Sequence, residues 1–105
     1  MIHAAFERQG DQITAVSVSG HAGYAQAGRD VVCAAVTSAV QLTANALTEV
    51  LQEKAQVGLE ENLISIRLSE PFSPQATAFM QALYLHLGLL AEDYTKNLRL
   101  TVSEV

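Results

Sequence analysis

The feature that most limits the possible folds is a change of period at Asp30. Before it, apolar residues recur at every second position. In residues 2–8, "IHAAFER", Ile2, Ala4 and Phe6 share one side. In residues 12–19, "QITAVSVS", Thr14, Val16 and Val18 share one face, and Ile13, Ala15, Ser17 and Ser19 the other. Alternation of this kind belongs to half-buried strands, and the "QGD" between the runs reads as a turn, so a hairpin is predicted. From Asp30 the spacing becomes three and four. In "DVVCAAVTSAVQLTANALTEVLQEK", Val32, Val36, Val40, Leu47, Val50 and Leu51 fall on one helical face, with no Gly or Pro to interrupt it. Asp30 is placed as the N-cap, where a carboxylate accepts the unsatisfied amides of the first turn. Lys54 stands at the far end, where the helix dipole favours a cation.

The same alternation then repeats. "AQVGLEE" and "NLISIRLS" read as a second hairpin turning near Glu61–Asn62, with Ile64, Ile66 and Leu68 on one face. After "EPF", Ser73 is expected to cap a second helix, with Pro74 at its first position, where a missing N–H costs nothing. That helix should run to about Glu92. Ala76, Phe79, Met80, Leu83, Leu87 and Leu90 form its core face, and His86 is expected beside Phe79 and Leu90. Ala78, Ala82, Leu85 and Leu89 form a second apolar face, roughly opposite. A helix apolar on two faces is buried twice, once in the core and once against another chain. Leu98, Leu100 and Val102 alternate in "NLRLTVSE", a last strand. The order β-β-α-β-β-α-β predicts a single α+β domain over 1–105. Its mostly antiparallel sheet has about five strands, with two helices packed on it.

Half of the residues are hydrophobic and only 16% are charged, more apolar surface than one small core hides, so a homo-oligomer is expected. The net charge of −5 argues against a nucleic-acid partner and against an anionic membrane surface. It suits a basic protein or peptide. The longest unbroken apolar runs fall far short of the ~20 residues of a spanning helix, and the opening "MIHAAFERQG" shows no secretory pattern. A reducing cytoplasm is the expected compartment.

The chemistry gathers in "GHAGYAQAGRDVVCAAV", which holds the only cysteine. With Asp30 as cap, Cys33 is the third helical residue. The positive end of the dipole and the free amides there stabilise a thiolate, and the same amides suit an oxyanion. His21 follows a strand, placed to take the thiol proton if the loop folds back. Gly23 and Gly28 let that loop bend. Asp30 either only caps the helix or also orients His21. Thr37 lies one turn beyond Cys33, with Ser38 as the neighbouring choice of hydroxyl. Against this stands the plain reading in which Cys33 packs as a small buried hydrophobe. His3 is expected to face solvent from its strand. The scattered histidines make no metal spacing and no phosphate-binding glycine motif is present, so neither metal nor cofactor is expected.

The paired segments "GHA" and "DVVCAAV" around a short loop resemble the signature of the ribosomal-processing cysteine protease family, and the likeness extends to the "EDY" before the last strand. The resemblance implies a small homodimeric enzyme of the bacterial cytoplasm. Such enzymes remove an N-terminal extension from the large-subunit ribosomal protein "L twenty-seven". It implies His21 and Cys33 as the catalytic pair, with Asp30 in support. Thr37 stands where the family often has serine. Gly20, Ala22, Gly23, Tyr24, Gly28 and Arg29 are the loop residues expected to meet the substrate. A non-catalytic ribosome-associated adaptor that holds a basic tail without cutting it is the alternative.

Overall fold

The computed structural model describes residues 1–20 and 30–105. Its elements follow the expected order: β1 (Ile2–Gln9), β2 (Gln12–Ser19), α1 (Val31–Asn45), β3 (Ala55–Glu60), β4 (Leu63–Leu68), α2 (Pro74–Asp93) and β5 (Leu98–Glu104). The five strands form one sheet in the order β3-β4-β2-β1-β5. Three of its pairings are antiparallel, and β5 lies parallel to β1. The sheet is therefore mixed, mostly antiparallel with one parallel edge.

A bulge corrects the predicted phase of β2. Glu7 lies opposite Ala15 but Arg8 lies opposite Ile13, so Thr14 is an extra residue on β2. Strict alternation put Ile13 on the face away from Val16 and Val18. The extra residue re-aims the strand, and Ile13 joins Val16, Val18, Phe6 and Ile66 in the core.

The first helix ends earlier than its apolar spacing predicts. The α-helical hydrogen bonding stops at Asn45, and Ala46–Val50 form a wider π turn closed by the Leu51 amide on the Ala46 carbonyl, 2.9 Å. Thr43 and Thr48 each donate their hydroxyl to the carbonyl four residues back, at 2.9 and 3.0 Å, which loosens this end of the helix. The wider winding keeps Ala46 and Leu47 buried but turns Val50 out, 76% exposed. Lys54 consequently lies past the helix. The stretch Val31–Val50 is long and apolar enough to cross a membrane by length and composition alone, which the unbroken apolar runs did not indicate. Here its Val32, Val36, Val40 and Leu47 side chains are spent on the core.

Ser73 caps α2 as expected, accepting from the Ala76 amide at 3.0 Å, and its hydroxyl also donates to Glu53. The core face is Ala76, Met80, Leu83 and Leu87. Phe79 and His86 are exposed rather than core. Each lies one residue from a core position, Met80 or Leu87, and a step of about 100° carries it onto the helix shoulder. Leu85 and Leu89, on the second face, are 61% and 53% exposed. Phe6 anchors the helix to the sheet, its ring edge-on to Tyr84 with centroids 5.0 Å apart.

The sheet face away from the helices carries small residues and one ion pair. Arg67 grips Glu7 with both guanidinium nitrogens, at 3.1 and 2.5 Å, across the intervening strand β2. Ala15 is the neighbour of both, and the pair covers it, so it is buried on an otherwise open face. His3 donates to or accepts from Thr101 on the same face, 2.8 Å.

Two outcomes follow for stability. Phe6→Ala should cost about 3–5 kcal/mol in urea unfolding, since the ring is fully buried against Tyr84. The Arg67 hydrogen bonds hold the Glu7 carboxyl below its ordinary value, so this pair stabilises the fold above that range and stops doing so as pH falls through the folded value. Because the pair is exposed, its contribution is at most about 1 kcal/mol. The stability gap between wild type and Glu7→Gln should be present at neutral pH and close on acidification. A gap that opens in acid would contradict this assignment.

Candidate active site at the start of the first helix

The start of α1 is set by one side chain. Asp30 has extended backbone, φ −79° and ψ 102°, and its Oδ1 accepts from the Val32 and Cys33 amides, both at 3.0 Å. Its backbone carbonyl takes the Ala34 amide at 3.1 Å, the first bond of the helix proper. The carboxylate is buried, so these charge-assisted bonds replace the water it has lost. Cys33 is thereby the third helical residue, as its spacing from the cap predicted.

The same geometry corrects one expectation. The amides of the first turn were expected to be free for an oxyanion. Those of Val32 and Cys33 are committed to Asp30, which leaves the Val31 amide outside the cap. What reaches the Cys33 sulfur from the helix is the field of its positive end rather than two unclaimed donors.

Cys33 is half-buried and packs against the core. Thr37, one turn on, is half-buried on the same flank. Ser38 is exposed and lies about 140° around the helix from Cys33, so of the two hydroxyls Thr37 shares the cysteine's flank. His21, Ala22, Gly23, Tyr24, Gly28 and Arg29 lie outside the described residues.

Gly20, the last described residue before that segment, is held where only glycine fits. Its φ is +89°, and a Cβ there would stand 2.4 Å from the Met1 carbonyl oxygen. Its amide donates to the Asn62 carbonyl at 3.2 Å, which ties the end of β2 to the β3–β4 turn. The sequence reading placed Gly20 with the substrate loop and missed Met1 and Asn62 as its neighbours. Asn62 marks the turn itself, because asparagine readily takes a positive φ, here 64°, but nothing local to it signals the contact with Gly20.

Among the described residues no three His, Cys, Asp or Glu side chains come close enough to hold a metal ion. A groove of about 550 Å³ runs between α2 and β5, lined by Tyr84, Leu85, Gly88, Leu89 and Leu100. Cys33 does not line it.

Asp30→Ala should cost about 1 kcal/mol through loss of the cap, whereas Asp30→Asn, itself a good cap, should cost little. Urea unfolding of both variants checks this. Equal losses would show that the carboxylate charge, not capping, holds this turn.

The chain is similar to known proteins along nearly its whole length. The family model described as "Cysteine protease Prp" matches residues 1–99. The ribosomal processing cysteine protease Prp of Bacillus subtilis (strain 168) is 28% identical, over 98% of each chain. That of Staphylococcus aureus (strain Mu50 / ATCC 700699) is 26% identical over 91 residues, covering 85% of this chain and 86% of the relative. Among solved structures, the Prp protease from S. aureus in complex with a covalently linked product peptide superposes with a TM-score of 0.92 at 24% identity, covering 98% of this chain and 100% of that one. SMU.848 from Streptococcus mutans superposes at 0.82 with 26% identity, covering 100% and 96%. With the family's model matching residues 1–99, nearly the whole of this sequence, the chain belongs to the cysteine protease Prp family.

Proposed function

We propose that this chain is the endopeptidase that removes the N-terminal extension of the large-subunit ribosomal protein "L twenty-seven", using a Cys33–His21 dyad. The observation that carries the reading is the position of Cys33. It is the third residue of a helix capped by Asp30, where the dipole favours the thiolate. In this mechanism His21 takes the Cys33 proton, the sulfur attacks the scissile carbonyl, and a tetrahedral oxyanion forms beside the helix start. His21 then gives the proton to the leaving amine, and water hydrolyses the thioester. Asp30 holds the turn and is available to orient His21. Relatives named as ribosomal processing proteases, and the S. aureus structure with a covalently linked product peptide, support this chemistry.

The reading extends to the setting. The enzyme works in the bacterial cytoplasm as a homodimer, a state supported by the exposed Leu85 and Leu89 on α2. Its net charge of −5 draws in a basic substrate from a distance.

Incubation with a peptide spanning the extension, read by mass spectrometry, tests the proposal. Wild type should cut it and Cys33→Ala should not. Equal turnover by the two would refute the dyad. Peptide retained but never cut would favour the adaptor. If Asp30 orients His21, Asp30→Asn should lose activity while keeping stability. Because steering is screened by ions, kcat/KM should fall as salt rises. Salt-independent kcat/KM would remove the electrostatic part of the reading.

A further inference from the structure

The handedness of the fold decides what Cys33 faces. β2 and β3 are both antiparallel to β4, so they are parallel to each other, and α1 connects them across β4. Such crossovers are right-handed. With the Val32–Val36–Val40 stripe on the sheet, the turn of a right-handed helix then puts Cys33 and Thr37 on the flank toward β3. Ala35 and Ala39 fall on the flank toward α2. The same rule applied to the β4–α2–β5 crossover puts Tyr84 and Gly88 toward β5, and the groove between α2 and β5 is lined by those two residues.

On the side that Cys33 faces, the sheet ends in an exposed apolar shelf. Leu59 pairs with Ile64, which pairs with the buried Val18, and Val57 pairs with the buried Ile66. All lie on the helix-bearing face. Yet Leu59 is 73% exposed and Val57 43%, and Ile64 is only partly buried. β3 is also an edge strand, paired among the described residues with β4 alone. It holds neither Pro nor Lys, carries its one charge at Glu60 at its end, and is apolar on one face. From Ala55 to Ile66 the only charges are Glu60 and Glu61. The shelf is continuous with the site, since the Gly20 amide binds the carbonyl of Asn62 in the β3–β4 turn.

We infer that an extended peptide substrate adds to the free edge of β3, laying an apolar side chain on Leu59 and Val57 beside Cys33. Main-chain hydrogen bonds to the edge supply affinity that does not depend on the peptide's sequence, and the shelf selects the side chain. Glu60 and Glu61 favour basic residues at the end of the peptide that passes the turn. The inference rests on Cys33 being the reactive residue, and it names Leu59 and Val57 as specificity residues for that reaction.

The test uses the full chain with the same extension peptide, fluorescently labelled. Its binding to the Cys33→Ala protein is followed by anisotropy, and its cleavage by wild type by mass spectrometry. Leu59→Glu and Val57→Glu should each weaken binding and raise KM by about ten-fold or more, the scale of a lost apolar contact in a specificity pocket. They should leave kcat and the rate of Cys33 alkylation by iodoacetamide unchanged. Leu59→Met should restore binding. Val102→Glu, an equivalent change on the opposite edge strand, should bind as the parent does. Binding that is indifferent to Leu59→Glu, or absent altogether, overturns the shelf. Leu59-dependent binding without cleavage by wild type keeps the shelf and refutes the protease reading. Cleavage with Leu59-independent KM refutes the shelf alone. A peptide-free dimer that Leu59→Glu dissociates would assign the edge to a second copy, and the inference would fail.

Discussion

One buried carboxylate sets the phase of everything around Cys33. Asp30 holds the second and third amides of α1 on a single oxygen, which fixes where the helix starts and therefore which way each later residue points. A helix started one residue earlier or later would be rotated by about 100°. Val32, Val36 and Val40 would leave the core, and Cys33 would turn either into the core or out to solvent. The cap is thus a positional device before it is an electrostatic one. Packing of the valine stripe and the cap agree on one phase, and that agreement leaves the cysteine half-buried.

The sheet beneath supports the site from an unusual side. Among the described residues no helix lies on its outer face, so what keeps β1, β2 and β4 in register there is partly the arginine–carboxylate clamp over Ala15. Only a small residue on the middle strand lets two long side chains meet above it. The Glu7–Ala15–Arg67 row borders the bulge at Thr14, where the ladder is weakest. Clamp and bulge lie away from the strand ends that carry Gly20 and Asn62, so the site end of the sheet keeps an unbroken ladder from Ser17 to Ser19 against both neighbours.

Most of the architecture was legible because period and punctuation agreed. The two hairpins, both caps and Pro74 were read from alternation and from residues whose side chains demand those places. The failures share a cause: each needed information beyond a fixed period. Thr14 adds one residue to a strand, Thr43 and Thr48 loosen a helix end, and Phe79 and His86 lie at the margin between two faces. A count of apolar positions does not register any of these. The Cys33 position within the helix followed from Asp30 alone, because a cap fixes the numbering after it. The same residue also implies that the cap occupies the amides an oxyanion would use. The Met1–Gly20–Asn62 contact joins three distant segments, and no local pattern encodes it.

The parallel pairing of β1 with β5 bears on how the fold is reached. Residues 2–8 find their partners at 98–104, and the Ile2 amide closes on the Asn97 carbonyl at 2.8 Å. The β2–β4 ladder already joins distant segments, but the β1–β5 ladder closes a loop of almost the whole sequence. Such closures are slow, because chain entropy must be lost before any contact compensates. Until β5 arrives, β1 has a bare edge and the inner face of α2 lacks Leu98. Of the strand pairings, the β1–β5 seam therefore carries the largest loop-closure cost and the two hairpins the smallest.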